Sequence, residues 1–466
     1  MFAFLLAAHL RHAGVLWEGD GLPLAAALQM MRGSVLYRDI WFDKPPLVAA
    51  VYLLWGAKAG VALRVAGALY AWIACLLAYA LAARAFPEKG TRREGYLAAG
   101  LLGFFLTFDT HSAVLPLAAD MLLVVPHLAA VLLALRKQAF WSGVAAGIGF
   151  LFNAKAVFVL AACAIFALPG AWPQAPMLLI GFVLPNLAAL GWIAGTGALT
   201  PYIDQAWRWP ARYAASPIVA NPVWNGVVRT LNWLGFHAVL AMGAVIFRLR
   251  RAGWKTTWKY VAWAAICYAG VVFGWRFFPR YFLLLLPALT IAAARGTAPF
   301  APIRNRVAIA VAVVAMAVPL VRFAPRYVSL RNWNDLALDR DSREASRIAL
   351  ANSPAGGSLY VWGYRPEDYV YTGLRPATRF LDSQAMTGVP ADRHLTQSDV
   401  VLTAGTQEAR EELARSRPDV VIDGLGLYNP ALTMDHYPEL RPWLAQYREA
   451  ARTAGSVIYV RRLAPR

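Results

Sequence analysis

Acidic residues, and charged residues in general, are scarce in this chain. Of its 466 residues 59% are hydrophobic and only 15% are charged, with 26 Asp and Glu against 45 Lys and Arg. Such a composition excludes an ordinary soluble domain and indicates many membrane-spanning helices. The net charge of +19 resides mainly in short loops between apolar runs. This placement favours a positive-inside topology and anionic lipid headgroups over nucleic acid as the partner of the basic residues.

Cysteine is nearly absent as well. Cys75, Cys163 and Cys267 lie far apart within apolar segments and lack the spacing of metal ligands. They are expected to be small hydrophobic core residues, which excludes a disulfide framework and a zinc site built on cysteine. The sequence also shows no internal repeat and no low-complexity tract.

Apolar runs separated by basic loops occupy the chain up to about residue 325. We expect about eleven membrane crossings, with the N-terminus inside and the residues from about Arg326 outside. The run Met1–Leu10 is read as a short first membrane helix, because no small-residue cleavage site follows it. The run 47–59 is expected to be a partial or steeply tilted helix. The remaining expected spans are 61–83, 96–108, 113–135, 140–152, 156–168, 176–198, 231–247, 261–277, 281–294 and 307–321.

The composition becomes that of a soluble domain from about Arg326. Residues 358–362, 420–423 and 456–461 read as short strands and residues 407–416 as a charged helix. The region contains no GxGxxG turn, P-loop or nucleophile elbow. The predicted fold is therefore mainly α: a polytopic membrane helical bundle over residues 1–325, followed at 326–466 by a small soluble α/β domain on the non-cytoplasmic side.

The expected topology gathers several polar features on the non-cytoplasmic face. A charged loop between hydrophobic spans is where a membrane enzyme can carry out chemistry. The topology rests on the basic loops, so this coincidence is an independent observation. The features are the first loop at residues 17–46, the turn from Asp109 to Asp120, Lys155, the loop that begins at Thr200, and Arg280.

The first loop carries an ordered set of residues. Glu18 is followed fifteen residues later by Gly33, then by Tyr37-Arg38-Asp39 and by the run Asp43-Lys44-Pro45-Pro46. This arrangement resembles the first external loop of the polyprenyl-phosphate-sugar-dependent glycosyltransferases of the GT-C fold, which include protein O-mannosyltransferases and the aminoarabinose transferases for lipid A. The resemblance covers roughly residues 1–321. Further matches are Asp120, Lys155 and Arg280-Tyr281 ahead of a LLLLPAL run.

The resemblance implies transfer of a sugar from a lipid phosphate to an acceptor hydroxyl. That chemistry needs a carboxylate to accept the proton of the hydroxyl and cations to hold the departing phosphate. Family members carry an Asp-Glu pair where this chain has Trp17-Glu18-Gly19-Asp20. Counting back from Gly33 matches Glu18 to the catalytic aspartate of the family, and a shift of one or two residues selects Asp20. Alternatively, one of the two carboxylates caps a helix expected to start near Leu22.

The other implied site residues are one acid and three cations, each with a structural alternative. Asp120 lies in an apolar run, where an unpaired carboxylate is costly; it is expected to assist catalysis or to pair with a basic residue of a neighbouring helix. Lys44 matches the lysine that binds phosphate in the family, although it could also extend to lipid headgroups. Lys155 and Arg280 are further phosphate ligands or anchors of helix ends. Asp43 matches a position that helps to bind a divalent metal in some relatives, but no His or Cys cluster supports a metal here.

The loop that begins at Thr200 offers aromatic rings and cations together. Trp207, Arg208 and Tyr213 are weak candidates for contact with a sugar or an acceptor. The same residue types form the aromatic belt at membrane interfaces, and this second interpretation is favoured.

These observations predict a multi-pass glycosyltransferase of a bacterial inner membrane. Its expected partners are a polyprenyl-phosphate sugar donor, a lipid, polysaccharide or protein acceptor, and membrane lipids, with no nucleic acid. No cofactor is implied apart from the candidate divalent metal. The alternative function is a transporter or flippase of a lipid-linked or anionic substrate, which would need charges at the bilayer midplane and paired interrupted helices.

Overall fold

The structure is a computed structural model that places almost the whole chain. It describes residues 1–16, 18–86, 91–109, 116–169, 171–215, 221–249, 254–298, 306–329, 333–389 and 401–462. Within these ranges the side chains of a few residues, Glu18 and Tyr213 among them, lie outside the described part.

Helices dominate the first 329 residues. They are α1 Phe2–Leu10, α2 Glu18–Met31, α3 Leu47–Ala50, α4 Val61–Ala85, α5 Thr91–Phe108, α6 Ala119–Leu122, α7 Val124–Leu135, α8 Ala139–Phe150, α9 Ala156–Ala167, α10 Ala175–Gly195, α11 Leu199–Ile203, α12 Trp209–Ala215, α13 Pro222–Phe236, α14 Ala238–Leu249, α15 Trp254–Val272, α16 Leu286–Thr297, α17 Arg306–Phe323 and α18 Pro325–Val328. Shorter helical turns occupy Val51–Trp55, Trp172–Gln174, Asp204–Arg208 and Pro279–Leu284.

Most of the runs predicted as spans are helical. The run 47–59 is partial, as expected, because it divides into α3 and a short 3-10 turn. In the run 113–135 the helix starts only at Ala119, and residues 113–115 lie outside the described part. Cys75, Cys163 and Cys267 are buried free thiols, which confirms their prediction as core residues.

Several helices present apolar surface that only lipid can cover. Within the described residues, three helices are long and apolar enough to cross a membrane, or up to four if the bent pair α13 and α14 counts as one span. Only 17% of the most apolar part of Trp172–Gly195 is buried inside the protein, and Leu184 and Leu187 are 53% and 58% exposed. Apolar side chains exposed along a whole helix indicate contact with acyl chains. The chain is thus a membrane protein, and the total of about eleven spans stays a prediction.

Helices α8 and α10 approach each other at the distance of backbone contact. The GxxxG pair Gly143 and Gly147 predicts such close packing. A Cβ atom added to Gly143 would lie 2.1 Å from the Leu178 carbonyl oxygen, and one added to Gly181 would lie 2.1 Å from the Phe140 carbonyl oxygen. The predicted packing is confirmed. Glycine is required at both positions because there is no space for a side chain between the two helix backbones.

We expect Gly143→Ala to lower the melting temperature of the purified protein clearly. The added methyl group would push the two backbones apart, and overpacking of this kind costs about 1–3 kcal/mol. Gly191→Ala in α10 is the matched control, because no described atom lies within 4 Å of its Cβ position and alanine favours the helix. Thermal unfolding followed by intrinsic fluorescence in lipid nanodiscs checks both variants. Equal melting temperatures would contradict the packing argument.

The run 231–247, predicted as one span, is divided between two helices. Helices α13 and α14 meet at an angle of 88°. The break is at His237, whose Nδ1 atom lies 2.8 Å from the Trp233 carbonyl oxygen and whose ring is stacked between Trp233 and Phe105. Asp109 lies 3.3 Å from its Nε2 atom and is 5% exposed. The polar run Asp109-Thr110-His111 predicts a solvated turn, and this is wrong for Asp109, which is buried beside His237; His111 lies outside the described residues.

A mixed five-stranded sheet forms the centre of residues 334–462, which we call the C-terminal unit. The strand order is β2-β1-β3-β5-β4, with β1 parallel to β2 and β3, and with β5 antiparallel to β3 and β4. The strands are β1 Ser358–Trp362, β2 Arg375–Pro376, β3 Val420–Asp423, β4 Tyr447–Arg452 and β5 Val457–Arg461. The helices are α19 Asn334–Ala351, α20 Glu367–Thr372, α21 Gln384–Thr387, α22 Ala404–Arg415 and α23 Arg441–Leu444, with 3-10 turns at Pro430–Leu432 and Met434–His436.

Residue types decide the position of each strand in this sheet. The apolar runs of β1 and β3 are buried almost throughout, as expected of central strands. Strand β4 has charged, exposed residues, as expected of an edge. The predictions of β1, β3 and β5 are confirmed to within one residue. The helix predicted at 407–416 is α22, which begins earlier because Thr403 and Thr406 form a reciprocal cap at its N-terminus.

Candidate active site

The first loop is enclosed between the helical bundle and the C-terminal unit. The amide of Leu16 donates to Asp339 at 2.9 Å, and the amide of Trp41 donates to the Arg379 carbonyl at 2.8 Å. Arg32 donates to the Gly373 carbonyl at 2.9 Å. These bonds hold the first loop against the C-terminal unit just ahead of its start, at its middle and near its end.

The bundle holds the loop from the other side. Gln205 accepts a hydrogen bond from the Phe42 amide and donates one to the Tyr37 carbonyl, both at 2.9 Å. The Trp41 ring is in edge contact with that of Trp209, with ring centres 5.5 Å apart. Gln205 is 4% exposed, so its buried side-chain amide fixes the backbone of residues 37–42 through these two hydrogen bonds.

Asp20 is locked into a buried network. It is fully buried, and its Oδ2 atom lies 2.9 Å from Arg64 Nη1, which is also buried. Its Oδ1 atom accepts hydrogen bonds from the Tyr52 hydroxyl at 2.9 Å and the Leu117 amide at 2.8 Å. Neither oxygen is left open to a substrate. The predicted helix start near Leu22 is wrong, since α2 begins at Glu18, and Asp20 therefore does not cap it.

Glu18 stands where the first loop meets the segment that leads to Asp120. The neighbouring Gly19 has no room for a side chain, because a Cβ atom there would lie 2.8 Å from Pro116 Cβ and 3.2 Å from Ala118 Cβ. The backbone at Glu18 and the segment ahead of Asp120 are therefore in close contact. The Glu18 side chain lies outside the described part, so its role rests on this backbone position.

Asp120, Lys155 and Arg280, predicted from three distant parts of the chain, come together. Lys155 Nζ lies 3.6 Å from Asp120 Oδ1, and Arg280 Nε lies 3.8 Å from Asp120 Oδ2. Asn153 donates to Asp120 Oδ1 at 3.0 Å, and the Lys155 ammonium lies 3.0 Å from the centre of the Tyr281 ring. One carboxylate with two cations leaves an excess of positive charge, which suits an anionic group of a substrate.

The Lys155 ammonium is the most unusual member of this cluster. Its Nζ atom is buried and makes no hydrogen bond to any described residue. Lys155 lies in the loop ahead of α9, where burial lowers its pKa to about 8 although Asp120 opposes the shift. A buried ammonium that lacks a hydrogen-bond acceptor is poised to receive one from a ligand.

Lys44 and Asp43 lie close to a carboxylate of the C-terminal unit. Lys44 is in direct contact with Asp43, whose Oδ1 atom is buried and has no hydrogen-bond partner among the described residues. Both charges act on Asp382, and burial raises the pKa of Asp382 to about 7. The amide of Leu47 donates to the Leu151 carbonyl at 3.1 Å, which ties this part of the loop to the turn that carries Lys155.

The described residues do not provide a metal centre of the usual kind. No group of three or more His, Cys, Asp or Glu side chains gathers among them. Asp43 is charge-coupled to Asp382, but its nearest charged neighbour is the Lys44 ammonium. The donor set around Asp43 therefore does not fit a divalent cation.

The three weak candidates in the loop that begins at Thr200 have different surroundings. Trp207 is stacked on Phe150, with ring centres 5.2 Å apart. Arg208 forms an exposed ion pair with Asp204. The side chain of Tyr213 lies outside the described part. Both described side chains contact other residues of the protein, and their assignment to sugar contact or to the aromatic belt stays a prediction.

Solved structures of similar architecture are known. The chain is similar to ArnT from Cupriavidus metallidurans, solved in the apo state and bound to undecaprenyl phosphate, with a TM-score of 0.57 and 15% identity over 98% of this chain and 95% of that one. It is also similar to the Archaeoglobus fulgidus oligosaccharyltransferase tethered with an acceptor peptide, with a TM-score of 0.51 and 12% identity over 99% of this chain and 74% of that one. The chain has a GT-C glycosyltransferase fold.

At such low identity the GT-C likeness concerns architecture alone. No family model matches the chain, and neither does any curated protein. The predicted helical membrane architecture agrees with the GT-C fold.

Two important residues escaped the sequence interpretation. Arg64, the partner of Asp20, lies in the first turn of the long apolar helix α4. A charged residue in an apolar helix is a signal by itself, and it could have been found. Asp382 carries no such signal, because only the tertiary structure brings it to Asp43 and Lys44.

Proposed function

We propose that this chain is an integral membrane glycosyltransferase that moves a sugar from a polyprenyl-phosphate donor to an acceptor hydroxyl on the non-cytoplasmic face. The observation that carries the proposal is the Lys155 ammonium. It is buried beside Asp120 and Arg280 and has no hydrogen-bond partner among the described residues. A phosphate oxygen would supply the missing acceptor and balance the excess positive charge.

The transfer is a single displacement. The acceptor oxygen forms a bond to the anomeric carbon while the bond from that carbon to the phosphate oxygen breaks, so the configuration inverts. The proton of the hydroxyl passes to a carboxylate, and the electron pair of the broken bond leaves with the polyprenyl phosphate. Lys155 and Arg280 stabilise the charge that develops on the phosphate, and Lys44 approaches it from the first loop.

Glu18 is the better candidate for the base of the two carboxylates. Both carboxylate oxygens of Asp20 already accept hydrogen bonds, from Arg64, Tyr52 and the Leu117 amide. Glu18 precedes a glycine whose backbone touches the segment that leads to Asp120. Asp120, held by Asn153, orients Lys155 and Arg280, which we call the phosphate cradle, and assists at the reacting centre.

The comparisons support the substrate class. One structural neighbour is solved with undecaprenyl phosphate and another with an acceptor peptide. We extend the lipid-phosphate donor to this chain and place it in a bacterial inner membrane, with the C-terminal unit periplasmic or extracellular. The acceptor is a lipid, a polysaccharide or a protein, and the C-terminal unit shapes access to it.

Transfer of radiolabel from polyprenyl-phosphate sugars by membranes that contain the protein tests this function. We expect wild type to release label from the lipid carrier, Glu18→Gln to release none, and Lys44→Ala to be strongly impaired. Lys58→Ala is the matched control, because Lys58 is exposed in the turn ahead of α4. The label should remain on the carrier in Glu18→Gln while the protein stays folded and abundant. Donors that stay intact with folded wild type would overturn the proposal.

The break between α13 and α14 supports a second candidate, a transporter or flippase. Transporters place substrates at interrupted helices, and this pair bends by 88° beside Asp109. Movement of a labelled lipid-linked sugar across proteoliposomes, without loss of the sugar from its carrier, would favour this alternative. Release of the sugar by wild type decides against it as the principal activity.

A further inference from the structure

The C-terminal unit contains a second cavity that the transfer chemistry does not use. It has a volume of about 730 Å³, within the range of roughly 300–1,000 Å³ usual for small-molecule sites. Its walls come from the start of α22 and from residues 431–439, and include Leu402, Thr403 and Gln407. The described residues that line the cavity all belong to this unit.

Three residues that line this cavity, which we call its floor, each carry one buried polar atom. The atoms are Arg410 Nε, the Tyr437 hydroxyl oxygen and Glu439 Oε2, and none makes a hydrogen bond within the described residues. Arg410 is 3% exposed and Tyr437 is 1% exposed. Burying a polar group without a partner costs about 1–3 kcal/mol. Three such atoms beside one cavity indicate a ligand that hydrogen-bonds to all of them.

The floor is electrically balanced. Arg410 Nη2 lies 3.2 Å from Glu439 Oε1, and the guanidinium also lies over the Tyr437 ring, 4.7 Å from its centre. The ion pair cancels the charge on each side, so neither a phosphate nor an ammonium group is favoured. Arg410 offers a donor, Glu439 an acceptor, and the Tyr437 hydroxyl can act as either. Adjacent hydroxyl groups on a sugar ring each donate and accept, which matches this sequence of atoms.

The cavity is linked to the first loop through one short helix. Arg410 Nη1 donates to the Met386 carbonyl at 2.7 Å. Met386 lies in α21, and Asp382, just ahead of that helix, feels the charges of Asp43 and Lys44. Arg410 therefore contacts the short helix that begins just after Asp382.

We propose that this cavity binds a neutral saccharide through Arg410, Tyr437 and Glu439. If the proposed function holds, on which this role alone rests, the saccharide belongs to the acceptor and its binding keeps the acceptor beside the active site. Binding itself does not depend on transfer, so the two can be measured apart.

Saturation-transfer NMR on the full-length protein tests the site. Phosphatidylcholine nanodiscs replace maltoside and glucoside detergents, whose sugar headgroups would compete. The probes are neutral methyl glycosides of glucose, galactose, mannose and N-acetylglucosamine and their disaccharides, with glucose 6-phosphate as the charged comparator. Tyr437→Phe and Glu439→Gln each remove one partner, and Tyr428→Phe is the matched control, because Tyr428 is 40% exposed in the same unit.

We expect at least one neutral glycoside to bind to wild type and to Tyr428→Phe, and to bind at least about tenfold more weakly to Tyr437→Phe and Glu439→Gln. Because the buried Tyr437 hydroxyl has no partner among the described residues, Tyr437→Phe should unfold at the wild-type temperature or above it. Absence of binding by every neutral probe, equal binding by the floor variants, or preference for glucose 6-phosphate would overturn the proposal. If a glycoside binds but no label is transferred, the transferase proposal is overturned and the saccharide site is retained. If label is transferred but no glycoside binds, the saccharide site is overturned and the transferase proposal is retained.

Discussion

Asp20→Asn is expected to destabilise the protein by about 3–5 kcal/mol, the cost of breaking a buried ion pair from one side. The carboxylate is fully buried against Arg64 and also accepts hydrogen bonds from Tyr52 and the Leu117 amide. An asparagine keeps the shape but leaves the buried guanidinium facing a neutral amide. Thermal unfolding in nanodiscs and the yield of folded protein measure the loss.

The first loop offers a matched control for this prediction. Asp39 also pairs with an arginine, Arg38, but both side chains are substantially exposed. Exposed pairs contribute little to stability, so Asp39→Asn should unfold at the wild-type temperature. An Asp20→Asn protein that is as stable as Asp39→Asn but inactive in transfer would contradict this prediction. The base would then be Asp20, and Glu18 would lose its role.

Lys155→Met is expected to lower kcat/KM for sugar transfer by about 10²–10³, as when one preorganised donor to a developing anion is removed. Methionine fills similar space without the charge, and the ammonium makes no hydrogen bond within the described part of the protein. The fold should therefore survive, and most of the loss should appear in kcat. Steady-state kinetics with a purified donor measure it, and Lys58→Met is the control that should behave as wild type.

The pH dependence of kcat/KM gives an independent readout of the same group. Burial lowers the pKa of Lys155 to about 8, and only the protonated amine can hold phosphate. The rate should therefore be constant below that pH and fall as the pH rises through it. Lys155→Arg should lose this fall, because a guanidinium stays charged. A fall that persists in Lys155→Arg belongs to another group and would contradict the assignment.

The sequence interpretation succeeded where a single residue carries its own energetic signal. Asp120 is a carboxylate in an apolar run, which predicts either function or an ion pair, and in the structure it contacts both Lys155 and Arg280. Gly143 is part of a spaced glycine pair that predicts backbone contact, and the contact is present. An unpaired carboxylate at residue 120 or a larger side chain at residue 143 would each cost much free energy, and each cost arises from the immediate surroundings of one residue.

The interpretation failed where the decisive partner is remote. Gly235 lies two residues ahead of the bend at His237, but a single glycine is tolerated within a helix, and Asp109, which contacts His237, is distant in the sequence. Glu18 and Asp20 differ only in what surrounds them. Arg64, 44 residues further along the chain, forms an ion pair with Asp20. No spacing rule within the first loop could reveal this ion pair.

The order of synthesis matters for a loop that is enclosed in this way. Leu16 and its partner Asp339 are separated by 323 residues, which a ribosome adding about 5–20 residues per second takes roughly 16–65 s to make. During that interval the nascent bundle can enter the bilayer, while the path of its first loop still lacks the bonds from the C-terminal unit. The part of the protein that is made first is therefore finished last, and a truncated chain would carry the phosphate cradle without a completed active site.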